Sequence, residues 1–245
     1  MPGTTPPHDI TGKSTRSFLP QGEGAEPLKK IMLKARKIIK ESSQIKKAKE
    51  KFKGTPNSIW IWGGGKKPRL NSLSKKFGLN GYTISAVDLI HGLGKAAGLS
   101  PLEVKNTTGY IDTNYKGKAQ ALLNNINNCN FIFLHLEAPD ESGHEGNLKH
   151  KIKAIQDFDK KIVGPVMTGL QKYKDFAVLI MPDHPTPLSL KTHTSDPVPF
   201  IIYNSKGWDK QLKNKYKVVN SYSEKMAAQT GLVTKGHQLL KMMLS

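Results

Sequence analysis

Two short apolar runs, Asn130–Leu136 and Phe176–Met181, each pass without a spacer into a cluster of acidic and imidazole side chains. No other feature constrains the chain as much. Short apolar runs bounded by polar clusters read as buried strands. In open α/β sheets, ligands collect beyond the carboxyl ends of such strands. The first run opens into Glu137-Ala-Pro-Asp140-Glu-Ser-Gly-His144-Glu-Gly146 and the second into Pro182-Asp183-His184-Pro185-Thr186.

The remaining periodicities agree with an α/β fold around a largely sheltered sheet. Leu28–Ser43 carries apolar residues at helical spacing, and Ser58–Trp62 reads as a short strand ending in Gly63-Gly64-Gly65. Tyr82–Ser85 reads as a strand, Val87–Ala97 and Gly117–Asn125 as helices, and Leu148–Tyr173 as a long amphipathic helix broken near Gly164-Pro165. Pro199–Tyr203 is a further strand and Thr234–Met243 a closing helix.

Asp140 and His144 are four residues apart, so one helical turn can aim a carboxylate and an imidazole at the same cation. Asp183 and His184 are adjacent and can converge only where the strand has ended, as the proline after them implies. His193, in Lys191-Thr-His193-Thr-Ser-Asp196-Pro, adds a third imidazole. Singly these are weak signals, because a lone His is more often a hydrogen-bonded bystander than a ligand. In combination and in order they describe a metal centre. Mixed Asp and His donors suit manganese, zinc or cobalt better than magnesium. His91, His135, His150 and His237 lie inside strand-like or helix-like segments and are left unassigned. Cys129, the one cysteine, reads as a small buried residue without disulfide or zinc-finger partners.

The chain carries 38 Lys and Arg against 19 Asp and Glu, a formal charge of +19. Such a field attracts phosphates and nucleic acids. Much of it is concentrated between Lys29 and Lys53, where no aromatic residues are interleaved, so a solvated basic helix face is expected there and not a specific nucleic-acid surface. No segment has the length and apolarity of a membrane span, and no signal segment opens the chain, so a cytoplasmic protein is expected.

From Pro139 to Phe200, the stretches Ala-Pro-Asp140-Glu-Ser-Gly-His144-Glu-Gly, Pro-Asp183-His184-Pro-Thr and Lys-Thr-His193-Thr-Ser-Asp-Pro-Val-Pro-Phe resemble the archaeal-type 2,3-bisphosphoglycerate-independent phosphoglycerate mutases of the alkaline phosphatase superfamily. Pro7-His8-Asp-Ile-Thr-Gly, Asn57-Ser-Ile-Trp-Ile-Trp-Gly-Gly-Gly-Lys66, Ile84-Ser-Ala-Val-Asp-Leu and Thr108-Gly-Tyr-Ile-Asp-Thr-Asn-Tyr115 extend the likeness, in family order, over nearly the whole chain. The resemblance implies an alkaline-phosphatase-like sheet flanked by helices and two divalent cations side by side, manganese foremost. Asp140, His144 and His193 are expected to hold one cation, and Asp183 and His184 the other. It implies interconversion of 3-phosphoglycerate and 2-phosphoglycerate through an enzyme phosphoserine. A second, mobile domain grips the glycerate, and His8 and Lys66 are the candidate contacts.

The sequence departs from the family at its start. The family's Asp-Gly metal motif and nucleophilic serine precede the point where this chain begins, and none of its own serines stands in the nucleophile's context. The expectation is therefore a catalytic domain incomplete at the N-terminus (56–245) with an exposed sheet edge. Ahead of it lies a remnant of the mobile domain and hinge (1–55). The chain alone is expected to be inactive, with the missing N-terminal part as its partner. Two other functions share some of these features: a metal-dependent phosphatase or phosphotransferase on another phosphorylated metabolite, and a non-catalytic basic protein that binds nucleic acid.

Overall fold

Short β-rich segments alternating with amphipathic helices can bury both faces of a sheet only if the strands run parallel, with each helix crossing back over them. The computed structural model follows that logic in its larger part. It describes residues 1–48, 56–207, 217 and 219–244, which form two compact units, Met1–Pro68 and Arg69–Ser245. The domain division expected between residues 55 and 56 borders a stretch, 49–55, outside the described residues. Lys49, Lys51 and Lys53 of the basic run lie there too.

In the larger unit, β1 (Gly81–Ile84) lies between β2 (Ser100–Pro101) and β3 (Phe131–Leu134), and both pairings are parallel. The register pairs Gly81 with Phe131 and Ile84 with Leu134, so β1 and β3 end level with each other. Helix α4 (Asp88–Ala96) connects β1 to β2, and α5 (Tyr115–Asn125) leads into β3. The core joins Ile84 of β1 to Tyr115, Ala119 and Leu122 of α5 and to Ile162, Val166 and Leu170. On the other face of β1, Thr83 donates to or accepts from His91 of α4 at 2.8 Å, so His91 is a helix–strand staple.

Leu148–Tyr173 holds its helical path where a break was expected. Helix α7 (Leu148–Phe158) continues through one π turn (Asp159–Val163) into α8 (Gly164–Leu170). Pro165 has no N–H to offer the preceding turn. The wider turn, closed by Gly164 N–H donating to the Asp159 carbonyl, accommodates it without a break.

Strands β4 (Ala177–Ile180) and β5 (Ile201–Asn204) also depart from the single sheltered sheet expected. They pair antiparallel as a separate two-stranded sheet, against which α10 (Gly236–Leu244) packs with Leu239 and Met243 buried. Among the described residues, β3 has β1 as its one partner and β4 has β5. Phe133 of β3 is 44% exposed, so this strand is less sheltered than its composition implied. Cys129 is half-buried, its thiol against the Asn125 carbonyl.

In the smaller unit, α1 (Ala25–Glu41) begins near the start of the expected helix and is followed by α2 (Ser43–Ala48). The strand expected at Ser58–Trp62 is absent, and the stretch is irregular. A strand requires a neighbour's backbone, and here the bonds run through side chains instead. The Trp60 indole donates to the Thr5 carbonyl at 2.8 Å and Gly63 N–H to the Thr4 hydroxyl at 3.2 Å.

Candidate metal centre

The centre is assembled where β3 and β4 end. Beyond β3, His135-Leu136-Glu137 leads into α6 (Ala138–Glu145), with Pro139 in its first turn and Gly146 closing it in the left-handed conformation at φ 68°. Proline suits a first turn because its missing N–H would be unsatisfied there anyway, and glycine suits the left-handed cap. The short helix fixes Asp140 and His144 on one face, with His144 Nε2 3.2 Å from Asp140 Oδ2. Its opposite face is buried at Ala138 and Ser142, and Gly143, also buried, flanks the Asp140 side.

Gly143 explains how the two strand exits meet. A Cβ at that position would lie 2.5 Å from the Thr186 carbonyl oxygen and 2.9 Å from the Thr186 methyl. Only glycine lets the segment after β4 lie directly on α6. The approach brings Thr186, 4% exposed, to donate its hydroxyl hydrogen to Asp140 Oδ1, while the Lys151 ammonium donates to the Thr186 carbonyl at 2.5 Å.

His193 Nε2 stands 3.0 Å from His144 Nε2 and 3.5 Å from Asp140 Oδ1. Asp140 meets both imidazoles, turning Oδ2 to His144 at 3.2 Å and Oδ1 to His193 at 3.5 Å. Ligands of one tetrahedral ion with bonds near 2.0–2.1 Å sit about 3.3 Å apart. The separations among these three side chains are therefore of the size found around a cation, with Asp140 offering a different oxygen to each imidazole. His144 Nδ1 donates to the Lys191 carbonyl at 3.0 Å. A carbonyl can only accept, so in the neutral ring Nε2 keeps the lone pair and faces Asp140 and His193, which is how a metal-binding imidazole is oriented.

Asp183 and His184 sit beside these three residues. His184 Nε2 is 3.2 Å from Asp183 Oδ2, its Nδ1 is 3.9 Å from Asp140 Oδ1, and its ring lies against that of His193 with centroids 3.7 Å apart. Asp140, His184 and His193 also offer donor atoms within 4.8 Å of one another. The five residues named from the sequence thus lie in one cluster, with the Asp140 carboxylate facing three imidazoles. His8 and Lys66 belong to the other unit. His8 sits in a 3₁₀ turn (Pro7–Ile10) with its ring edge-on to Trp62, and Lys66 is exposed on irregular chain.

Four residues around the centre went unassigned from the sequence. His135 Nδ1 meets the Ser85 hydroxyl at 3.1 Å and its Nε2 lies 3.2 Å from Glu137 Oε2. Burial, together with the charges of Asp140, Glu141 and Asp183, pushes the Glu137 carboxyl up to about 7. Lys118 of α5 is wholly buried and donates to the His135 carbonyl at 3.0 Å, and burial pulls its ammonium down to about 8. Thr186 completes the set. Glu137 and Thr186 stand inside the motifs already singled out, and their position was the available signal. Lys118 gave none, because one lysine of a helix among 38 Lys and Arg carries no mark of burial.

A family model described as the Metalloenzyme superfamily matches residues 17–243. A probable 2,3-bisphosphoglycerate-independent phosphoglycerate mutase of Geobacter sulfurreducens is 48% identical over 98% of this chain and 59% of its own length. The 2,3-bisphosphoglycerate-independent phosphoglycerate mutase 2 of Methanothermobacter thermautotrophicus is 36% identical over 98% of this chain and 58% of its own. Among solved structures, a Pyrococcus horikoshii protein aligns with 71% of this chain and 50% of its own at a TM-score of 0.63 and 25% identity. A cofactor-independent phosphoglycerate mutase of Thermoplasma acidophilum covers all of this chain and 58% of its own at a TM-score of 0.50 and 18% identity, a likeness of fold. The chain spans between half and three-fifths of the length of these curated relatives. Among the described residues no helix is long and apolar enough to cross a membrane.

Proposed function

The chain belongs to the Metalloenzyme superfamily, and from that premise we propose that it carries the metal-binding part of an enzyme that interconverts 3-phosphoglycerate and 2-phosphoglycerate. The observation that carries the reading is the convergence of Asp140, His144 and His193, the two imidazoles 3.0 Å apart and each within 3.5 Å of an Asp140 oxygen. The names of the relatives direct it to the phosphoglycerates.

In this reading Asp140, His144 and His193 hold one divalent cation and Asp183 and His184 the second. Manganese is the first choice for such mixed donors, ahead of zinc, cobalt or magnesium. The cations' contribution when bound is to neutralise phosphate oxygens and lower the pKa of the hydroxyl that attacks. Asp140 lies between the two sets and brings a carboxylate to their boundary. Thr186 restrains one Asp140 oxygen and the Lys191 carbonyl restrains the His144 ring, so the donors are oriented before a cation arrives. The serine that accepts the phosphoryl group in the family's reaction is proposed to come from the portion of the relatives' length that this chain does not span. His8 and Lys66 are proposed to contact the glycerate.

Two measurements test the reading. Manganese and zinc uptake by the chain is expected to show one stronger and one weaker site, and His193→Ala is expected to remove the stronger while leaving the unfolding midpoint within about 3 °C, because the exposed ring is a ligand and not packing. Unchanged uptake in His193→Ala overturns the assignment. Phosphoglycerate interconversion is then assayed with the chain alone and with the chain joined to the remaining portion of the Geobacter relative. Interconversion in the joined protein supports the mutase reading. Release of phosphate from several phosphoesters without interconversion replaces it with a metal-dependent phosphatase.

A further inference from the structure

Lys118 is the largest side chain that is fully buried in the described structure, at 0% exposure. An ammonium taken out of water is normally paired or in contact with several acceptors, because its desolvation is costly. Among the described residues the Lys118 ammonium has one hydrogen bond, to the His135 carbonyl at 3.0 Å, and it senses the Glu137 carboxylate electrostatically. A lysine that served only to fill core space would be better replaced by an apolar side chain of the same volume.

What it grips is the last anchored residue before the ligand helix. The His135 N–H donates to the Ile84 carbonyl at 2.8 Å and so ends the β1–β3 ladder. Its ring is held between the Ser85 hydroxyl at 3.1 Å and the Glu137 carboxylate at 3.2 Å. The one remaining polar group of the residue, its carbonyl, is taken by Lys118. Two residues later Glu137 caps α6, its carbonyl accepting from the Asp140 N–H at 2.8 Å and the Glu141 N–H at 3.2 Å. The cap of the helix that carries Asp140 and His144 therefore stands two residues after one whose backbone N–H, ring and carbonyl are all held.

We propose that Lys118 is a positioning residue for the metal centre: through the His135 carbonyl it sets the exit from β3, and with it the placement of Asp140 and His144 against His193. The inference rests on the metal reading above and adds to it a group that touches no ligand. Partners that orient metal ligands from outside the coordination sphere typically change affinity by about 10- to 100-fold when lost.

The test compares wild type with Lys118→Met, which keeps length and volume without charge or donors, and Lys118→Gln, which keeps a donor without charge. Cobalt(II) binding is followed by its visible absorption and manganese binding by calorimetry, and unfolding of the metal-free proteins is recorded in parallel. Lys118→Met is expected to bind manganese about tenfold more weakly, with a changed cobalt spectrum, while its metal-free form unfolds no earlier than wild type. Lys118→Gln is expected to fall between the two if the donor carries the effect. Unchanged affinity and spectrum in a folded Lys118→Met overturns the inference, as does weaker binding fully matched by loss of fold in both variants. Absence of any uptake by the wild type overturns the metal reading itself, and the inference with it.

Discussion

Asp140 and His144 leave β3 on a helix whose inner face is buried, whereas Asp183, His184 and His193 leave β4 on irregular chain. The two exits carry candidate donors of the same chemical types but hold them differently. At the first, the side chains of His144 and Asp140 are 11% and 21% exposed; at the second, those of His193 and Asp183 are 37% and 71% exposed. A helical turn fixes the geometry between its own residues without help from a cation. The irregular segment takes its geometry from what it touches, namely the face of α6 at Gly143 and the Thr186–Asp140 and Lys151–Thr186 contacts. The centre is thus a preorganised half against which an adaptable half is laid, and preorganised ligands lose less freedom on binding.

The sharpest way to break this contrast is to disable the member that both halves share. Asp140→Asn keeps the shape and removes the charge that faces three imidazoles. It is expected to weaken manganese binding by about 100-fold or more, roughly 3 kcal/mol. An effect no larger than that of Asp183→Asn, measured by calorimetry, would mean the helix-borne half holds no special place.

The buried anchor of the first half should be visible in the pH dependence of stability. Burial lowers the Lys118 ammonium to about 8, below its ordinary value of 10.5. Between those values the unfolded chain binds more protons than the folded one, so this group's contribution to stability rises with pH across the window. Below pH 8 its full cost is present. Denaturant unfolding of the metal-free chain from pH 7.5 to 10.5 is expected to show wild type gaining about 3 kcal/mol relative to Lys118→Met, at about 1.4 kcal/mol per pH unit. Parallel stability curves would show that the ammonium is not desolvated in the folded state.

A smaller effect separates the adaptable half from its support. Thr186→Val keeps the volume while removing the hydroxyl that restrains Asp140, and is expected to weaken metal binding about tenfold with the unfolding midpoint little changed. If affinity is unchanged, the second half does not depend on that contact. The smallest expected effect lies outside both halves. In the joined protein, Lys66→Ala is expected to raise KM for 3-phosphoglycerate a few-fold, about 1 kcal/mol, with manganese affinity unchanged. Equal KM values remove Lys66 from the substrate contacts.

Legibility followed the range of the interactions involved. The helix at Leu148–Tyr173 and the strands at Tyr82–Ser85, Asn130–Leu136 and Phe176–Met181 were readable because their periodicity is written in neighbouring residues. The spacing of Asp140 and His144 was readable for the same reason. Ser58–Trp62 has the composition of a strand, but composition cannot supply the neighbouring backbone, and Trp60 and Gly63 bond to Thr5 and Thr4 instead. The separation of β4 and β5 into their own antiparallel sheet was invisible for the same reason: pairing belongs to two segments and not to one.

By itself the sequence determined the alternating α/β plan, the two strand exits as the place to look, and Asp140, His144, Asp183, His184 and His193 as the candidate donors, because each of these is a property of local order along the chain. Only the tertiary structure decided that Gly143 lets the Thr186 segment lie on α6, that His144 turns its Nε2 inward by bonding the Lys191 carbonyl, and that Lys118 is buried beneath the exit from β3. Each of these joins residues far apart in the chain, and the close approach or burial that gives it meaning exists only once both segments have folded against each other.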